Sequence, residues 1–304
     1  MLLACRVESS HNEIKFDMRN YLGQSRAREG HPEMRAPRGS VTQRENGGLI
    51  VSKVDIKQGV TSICGYDAES ISLRGKDLVE DLIGERSFTA ALLLQALGEE
   101  PTPLQLRIVD AVLVTIMEHG MVPSAVVTRL THYGAPESFQ GAIAAGLLGV
   151  GDRYAGTAGE CGAVLERIVA AGDTAEAARN EVLSYRENKR PLPGFGHPIH
   201  RDNDPRVLRL IEITEKAGAG GAYLAAMREL ENALSQELGK TLVTNISAVI
   251  AAALGEAGIP ASMMRGVVLT ARCAGLVGHL FEEMQNPAAP AMWQGAQDAV
   301  DYVP

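Results

Sequence analysis

Aromatic residues are scarce in this sequence. They make up 4% of its 304 residues, whereas alanine and leucine are abundant. Aromatic residues favour strands, while alanine and leucine lose little conformational entropy in a helix. The composition therefore favours a mainly helical fold. The overall balance of 45% hydrophobic and 22% charged residues is that of an ordinary globular protein, and the length allows one large domain or two closely packed ones.

Paired cysteines are also missing. The four cysteines, Cys5, Cys64, Cys161 and Cys273, form neither a CxxC pair nor a Cys/His cluster with the spacing of a zinc site. The carboxylate and histidine spacing of other metal sites is absent as well. We expect reduced cysteines that pack as small apolar residues in a cytoplasmic protein, and no bound metal.

Long apolar runs and basic stripes are absent too. No apolar run reaches the roughly 18 residues of a membrane-spanning helix, and the first five residues are too short for the apolar part of a signal peptide. The formal net charge is −8. The arginines near the N-terminus lie among acids and glycines, unlike the basic stripe of a nucleic-acid-binding protein. We therefore expect neither nucleic acid nor a membrane as a partner.

The chain divides by composition near residue 47. Residues 1–47 are polar, without sustained periodicity, and are predicted to form an extension that is partly disordered. Residues 48–304 are predicted to form one domain. It begins with short apolar runs, Leu49–Val51 and Thr61–Ile63, and with the alternating Ser70–Leu73, which together predict a small β element.

Helical spacing follows the β element. Apolar periodicity, caps and breakers predict helices over residues 90–97, 104–117, 140–150, 160–171, 175–187, 223–238, 242–254 and 263–284, and another that opens at Asp204-Pro205. The segment 140–150 is nearly all small or apolar, which predicts a helix buried on most sides.

The segment from Pro193 to Arg206 carries the clearest chemistry. Two glycines before His197 let the backbone approach a ligand, and the N–H groups of the helix after Asp204 favour an anion. Arg201 and Arg206 add positive charge. This pattern indicates a phosphate- or carboxylate-bearing substrate, with His197 as acid, base or hydrogen-bond donor. A structural turn with a satisfied histidine would explain the same residues equally well.

Gly194-Phe-Gly-His197 followed by Asp204-Pro-Arg206 resembles the signature loop of citrate synthases. The likeness runs from about residue 61 to about residue 287. It implies a large and a small helical domain, the small one at approximately 155–255, and a homodimer or higher homo-oligomer. It also implies that His197 holds the oxygen at the carbon where the C–C bond is made or broken, and that Arg206 binds a substrate carboxylate.

Two further segments carry the resemblance. Thr270–His279 resembles a late helix of the family whose arginine, here Arg272, binds another carboxylate. Met117–Gly120 resembles the histidine segment of citryl-CoA lyases, the module found at the end of ATP-citrate lyase, so that His119 inherits a substrate contact. The implied substrate is an acyl-CoA thioester, with coenzyme A as part of the substrate and no other cofactor.

Tyr154 separates the chain from the synthases within this resemblance. Gly149–Gly156 is similar to the segment in which citrate synthases place a catalytic histidine that polarises the thioester carbonyl. Tyr154 stands at that position here, and the lyases also have an aromatic residue there. The resemblance therefore implies a thioester contact for Tyr154 and favours cleavage over synthesis.

Two departures from the family bear on the reaction. Synthases and lyases have an Asn-Val-Asp stretch whose aspartate moves the α-carbon proton, whereas this chain reads Asn245-Ile-Ser247. A serine hydroxyl cannot serve as an unassisted general base, although it could donate a hydrogen bond, position a water, or simply be a small polar residue. In addition, residues 287–304 contain no arginine or lysine, where the family normally supplies an arginine from the partner subunit.

Three functions follow from these features. The first is citryl-CoA lyase-like cleavage of a 3-hydroxy-3-carboxyacyl-CoA to an acyl-CoA and a 2-oxo acid such as oxaloacetate, with His197, His119 and Ser247 in the chemistry. The second is hydrolysis or cleavage of a less acidic thioester in the same fold, prompted by Ser247 and the missing C-terminal arginine. The third is a non-catalytic relative that binds CoA thioesters.

Overall fold

The computed structural model describes residues 59–151, 157–196, 204–239 and 244–303. Contacts divide the chain into two units, Met1–Thr61 and Ser62–Pro304, and the following description concerns the second. The predicted extension 1–47 and the run Leu49–Val51 lie outside the described residues. The proposed large and small domains, with the small one at approximately 155–255, stay a prediction.

A three-stranded antiparallel sheet opens the second unit, which confirms the predicted β element. Its strands are β1 (Cys64–Tyr66), β2 (Ile71–Leu73) and β3 (Lys76–Asp77), in the order β1-β2-β3. The β2–β3 hairpin turns through Arg74 and Gly75, which have φ angles of 52° and 78°. Two positive φ values are what a tight two-residue hairpin requires.

One π-helical turn joins the sheet to the helices. It spans Leu78–Leu82, and the Ile83 N–H donates to the Leu78 carbonyl at 3.0 Å. The side chain of Asp77 accepts from the N–H groups of Val79 and Glu80 and so caps the turn.

The rest of the described chain is helical, and helices hold 68% of the described residues. The fold is therefore mainly α, as predicted. The helices are α1 (Phe88–Leu97), α2 (Pro103–Ile116), α3 (Pro123–Gly134), α4 (Phe139–Leu148), α5 (Thr157–Ala170), α6 (Thr174–Glu187), α7 (Pro205–Lys216), α8 (Ala222–Leu238), α9 (Ile246–Glu256), α10 (Ala261–Gln285) and α11 (Ala289–Ala299).

Side-chain caps explain where several of these helices begin. Ser87 accepts from the Ala90 N–H, and Thr102 and Gln105 form a reciprocal capping box. Asp204 caps α7 by accepting from the Arg206 N–H at 3.0 Å. All three starts agree with the sequence to within two residues.

The predicted start of α9 at residue 242 is wrong, and neither α3 nor α11 was predicted. Thr244 and Asn245 precede α9, because the Asn245 side chain accepts from the Ser247 N–H at 2.9 Å and takes the cap position. Pro290, in the first turn of α11, was the sequence signal for that helix.

Helix α9 lies at the centre of the core. Every residue from Ala248 to Gly255 is buried, and α9 contacts α2, α5, α7, α8 and α10. Its Ala-rich sequence lets these five helices approach closely. Because α7 and α10 both pack on α9, the residues predicted for the site on these helices are held by one rigid element.

Helix α4 does not fit the prediction of a helix buried on most sides. Within this chain only Ala142 and Gly146 are buried, and Leu148 is 87% exposed. The apolar residues face outward because α4 packs on α3 and α10 along one side alone. The prediction is therefore wrong for the single chain.

None of the helices in the described ranges is by itself long and apolar enough to span a bilayer. Only α9 and α10 taken together, across a 120° bend, reach that length and hydropathy.

Candidate active site

Four of the seven residues predicted for the site are described by the structure: His119, Arg206, Ser247 and Arg272. The other three, His197, Tyr154 and Arg201, lie outside the described residues. The surroundings of the four described residues, and the chain on either side of His197, define what the site can do.

Arg206 lies between a buried carboxylate and His119. Its Nε and Nη2 donate to the two oxygens of Asp204 at 3.0 and 2.7 Å, while Nη1 lies 3.0 Å from His119 Nδ1. Asp204 is 2% exposed. Such a two-pronged pair fixes the plane of the guanidinium. The structure therefore brings together two residues, His119 and Arg206, that are 87 positions apart.

The contact with Arg206 also sets the tautomer of His119. A guanidinium has only donors, so His119 Nδ1 must accept, and in a neutral imidazole the proton then sits on Nε2. Asp204, which completes the arrangement, was recognised in the sequence only as a helix cap. A carboxylate two residues before an arginine was the available signal.

The loop that leads into His197 is attached to the start of α9. Asn245 Nδ2 donates to the Gly196 carbonyl at 2.9 Å, and the Asn245 N–H donates to the Gly194 carbonyl at 2.9 Å. Phe195 and Thr244 form an isolated antiparallel bridge. The residue just before His197 is therefore bonded to Asn245, two positions before Ser247.

Gly194 is required at its position for two reasons. Its φ is +89°, and a Cβ there would lie 2.8 Å from Ala248 Cβ and 2.9 Å from Cys161 Sγ. The loop thus rests directly on α5 and α9. Burial raises the pKa of the Cys161 thiol to about 12, so it stays neutral and packs as the small apolar residue that the sequence predicted.

Ser247 occupies the second position of α9 and is half-buried. Within the described ranges its hydroxyl has no hydrogen-bond partner, while its N–H is taken by Asn245. The family position of the missing aspartate is thus filled by a short side chain at a helix N-terminus, where N–H groups favour an anion.

Arg272 is 3% exposed in α10 and bonds to neutral groups. Nη1 donates to the carbonyls of Met117 (3.1 Å) and Ile116 (3.4 Å), and Nη2 donates to Ser124 Oγ at 3.4 Å. Burial lowers the pKa of Arg272, and the negative charge of Glu118 acts against that shift. A buried cation bonded to carbonyls retains attraction for an added carboxylate. Binding of a substrate carboxylate by Arg272 remains a prediction.

An ionic network centred on buried Arg129 was not predicted from the sequence. Arg129 of α3 is 3% exposed and contacts His279, Glu282 and Glu283 of α10. His279 in turn contacts Glu118 at 3.1 Å. Two sequence signals were available: an arginine within an apolar helix, and His279 and Glu283 four residues apart. Neither signal shows that these residues contact each other.

Among the described residues no three His, Cys, Asp or Glu side chains come together in a way that could hold a metal ion. The chemistry that this part of the chain offers is instead that of cations, an imidazole and oriented N–H groups.

Comparisons with solved structures bear on the fold. Citryl-CoA lyase from Hydrogenobacter thermophilus superimposes with a TM-score of 0.73 at 29% identity, covering 82% of this chain and 95% of that one. ATP citrate lyase of Methanosaeta concilii, solved with (3S)-citryl-CoA, gives 0.65 at 17% identity over 99% of this chain and 47% of that one, which shows the fold alone.

Curated relatives carry synthase names. The 2-methylcitrate synthase of Shewanella oneidensis is 29% identical over 192 residues, which is 62% of this chain and 50% of the relative. The chain spans about half the length of the curated relatives that it matches. Residues 54–291 match the family described as "Citrate synthase, C-terminal domain". Since that match covers most of the sequence, the chain belongs to the citrate synthase family.

Proposed function

We propose that this protein cleaves the C–C bond of a 3-hydroxy-3-carboxyacyl-CoA, citryl-CoA or a relative, to an acyl-CoA and a 2-oxo acid such as oxaloacetate. The observation that carries the proposal is the Arg206 guanidinium, which is held by buried Asp204 and bonded to His119. A cation and an imidazole at adjoining positions suit a carboxylate next to a hydroxyl on one carbon.

The proposed reaction uses these groups as follows. The hydroxyl of the substrate loses its proton and becomes the carbonyl of the 2-oxo acid, while the electron pair of the breaking C–C bond passes to the α-carbon of the thioester. Arg206 holds the carboxylate of the 2-oxo acid. His119 donates a hydrogen bond from Nε2 to the substrate oxygen or to a carboxylate. His197 holds the hydroxyl oxygen, as the family resemblance implies, and in this proposal it also takes the hydroxyl proton. A proton from solvent adds to the α-carbon of the enolate and completes the acyl-CoA, while His197 passes the hydroxyl proton to solvent.

Two features favour cleavage over synthesis. Tyr154 stands where synthases have a histidine, and the 29% identical Hydrogenobacter structure is a citryl-CoA lyase. Two features favour a less acidic thioester as the substrate. Ser247 stands where the family has an aspartate, and residues 287–304 contain no arginine or lysine.

Purified protein and citryl-CoA provide the direct test. Oxaloacetate is followed by NADH oxidation with malate dehydrogenase, and thioester loss is followed with a thiol reagent. Cleavage gives oxaloacetate with no free thiol, whereas hydrolysis gives free thiol with no oxaloacetate. A panel of 3-hydroxyacyl-CoA thioesters then ranks the substrates. Absence of oxoacid from every member of the panel would exclude the lyase.

Ser247→Asp is expected to raise turnover of citryl-CoA by about tenfold, because a positioned carboxylate can move the α-carbon proton that a serine cannot. The rates of wild type, Ser247→Asp and Ser247→Ala are compared at saturating substrate. If neither substitution changes any measured rate, Ser247 has no part in the chemistry.

We also propose a homodimer. An exposed apolar face runs over four helices, α3, α4, α10 and α11. Helix α3 contacts each of the other three. Its members include Tyr133 (48% exposed), Phe281 (64%), Met284 (57%) and Trp293 (55%). A contiguous apolar face of this kind is rarely left in water, and in a symmetric dimer the same face covers its own copy.

Phe281→Glu is expected to convert the dimer to monomer, because two carboxylates would be buried against an apolar partner surface. Size-exclusion chromatography with light scattering measures the mass. The matched control is Phe88→Glu, since Phe88 is 72% exposed on α1, away from this face. A Phe281→Glu protein that keeps the wild-type mass would show that the dimer, if any, forms elsewhere.

A further inference from the structure

We propose that His279 is a positioning residue for this site. It acts through Glu118 and holds the turn from Met117 to His119, and thereby the imidazole of His119, against Arg206. The proposal rests on the proposed function for its turnover readout, but the geometry that motivates it is independent of the reaction.

The tautomer of His279 is set by its neighbour. Arg129 Nε and Nη2 lie 3.0 and 2.9 Å from His279 Nδ1. Because a guanidinium only donates, Nδ1 must accept and the proton must sit on Nε2. Nε2 lies 3.1 Å from Glu118 Oε1, so His279 donates to the carboxylate. Protonation of Nδ1 would remove both bonds from Arg129 and set a second cation against it.

Glu118 passes this orientation to His119. The same Oε1 that accepts from His279 accepts the backbone N–H of His119 at 2.8 Å. Burial acts to raise the pKa of Glu118, but the hydrogen bonds from the His119 N–H and from His279, with the charge of Arg272, leave it lowered. The carboxylate is therefore ionised and bonded to the backbone of the residue that it positions.

Arg129 gives the arrangement a fixed base. Its Nη1 donates to Glu283 at 2.7 Å, and its Nη2 bonds Glu282. Glu283 is 4% exposed and also accepts the N–H of Ala289, the first residue of α11, at 2.8 Å. The Arg129 guanidinium thus links α3 to α10, and Glu283 links α10 to α11. The imidazole of His279 lies between Arg129 and Glu118.

Stability alone does not account for the His279–Glu118 contact. The Glu118 side chain is 49% exposed, and even a full ion pair with so exposed a member contributes little to folding, typically about 0–1 kcal/mol. The same carboxylate accepts the His119 N–H, and that hydrogen bond lies next to the proposed chemistry.

Two substitutions test the proposal. His279→Ala removes the donor to Glu118, while His279→Gln keeps an N–H donor on a side chain of similar length. We expect His279→Ala to lower kcat for citryl-CoA by about tenfold to a hundredfold, because a displacement of about 1 Å of a positioned group costs that much. His279→Gln is expected to stay within about threefold of wild type, with KM little changed in both.

Glu118→Gln separates positioning from structure. Glu118 is half exposed, so this variant folds, and it keeps an acceptor but loses the charge. If His279 acts through Glu118, the double variant His279→Ala/Glu118→Gln loses no more than the greater of the single losses. Additive losses would overturn the proposal, as would wild-type kcat in His279→Ala.

A turnover-independent measurement keeps the test valid if wild type cleaves none of the thioesters. Ring nitrogen NMR signals of 15N-histidine-labelled protein, with His119 assigned through His119→Gln, should shift in His279→Ala and in Glu118→Gln but not in Ser262→Ala, an exposed position on the same helix. If wild type cleaves none of the thioesters, the proposed function is contradicted but the positioning proposal is not. Unchanged His119 signals would end the positioning proposal.

Discussion

Replacing Arg206 by methionine is expected to lower kcat/KM for citryl-CoA by at least about a hundredfold. The guanidinium is the one group in the described ranges that bonds both His119 and a buried carboxylate, and loss of a fixed cation that holds a substrate carboxylate costs about 2–5 kcal/mol. The same change leaves Asp204, which is 2% exposed, without a cation. An uncompensated buried charge lowers the free energy of unfolding by about 3 kcal/mol.

These two effects of Arg206→Met can be separated with a second substitution. Asp204→Asn in the same chain removes the stranded charge and keeps a side chain that can cap α7. The double variant is expected to recover most of the unfolding free energy in urea while kcat/KM stays low. Recovery of activity together with stability would show that Arg206 matters only for folding.

Arg209→Met is the matched control for Arg206→Met. Arg209 lies one turn along α7, its side chain is 64% exposed, and it pairs with Glu212 on the surface. Its loss is expected to change the free energy of unfolding by less than about 1 kcal/mol and to leave kcat/KM at the wild-type value. A loss of activity equal to that of Arg206→Met would contradict a specific role for Arg206.

The start of α7 was predictable from the sequence, but the ion pair at that start was not. Asp204-Pro-Arg206 predicted the start of α7 because a cap and a proline act locally. The same letters did not show that Asp204 is also the counterion of Arg206, since a capping carboxylate and an ion-pairing carboxylate look identical in a sequence. The structure distinguishes them, because the Arg206 side chain bonds both oxygens of Asp204 and also reaches His119. The His119 contact depends on the packing of α2 against α7.

Long-range ionic contacts lay beyond the sequence altogether. Arg129 and His279 are 150 residues apart, and their contact depends on how α3 crosses α10. The misjudged burial of α4 has a related cause. An apolar helix predicts that its surface is covered, but not whether the cover comes from its own chain or from a second copy.

Gly194→Ala is expected to lower the free energy of unfolding by about 3 kcal/mol and to lower turnover. Two costs combine. Alanine at a φ of +89° is strained by about 1–2 kcal/mol, and its methyl group would lie 2.8 Å from Ala248 Cβ and 2.9 Å from Cys161 Sγ, an overpacking cost of about 1–3 kcal/mol. A shift of the loop would also break the hydrogen bonds that Asn245 donates to the Gly194 and Gly196 carbonyls, which is why we expect turnover to fall.

Gly196→Ala isolates the steric part of the Gly194 effect. Gly196 also has a positive φ, of +82°, but a Cβ there would meet no atom of the described residues within 4 Å, so the conformational strain of about 1–2 kcal/mol is the expected cost. Urea unfolding of both variants at one protein concentration measures the difference, since association would otherwise shift the midpoint. Equal losses would mean that α5 and α9 yield to the added methyl group. A larger loss for Gly194→Ala means that the loop before His197 is held in place by direct contact with the two helices beneath it.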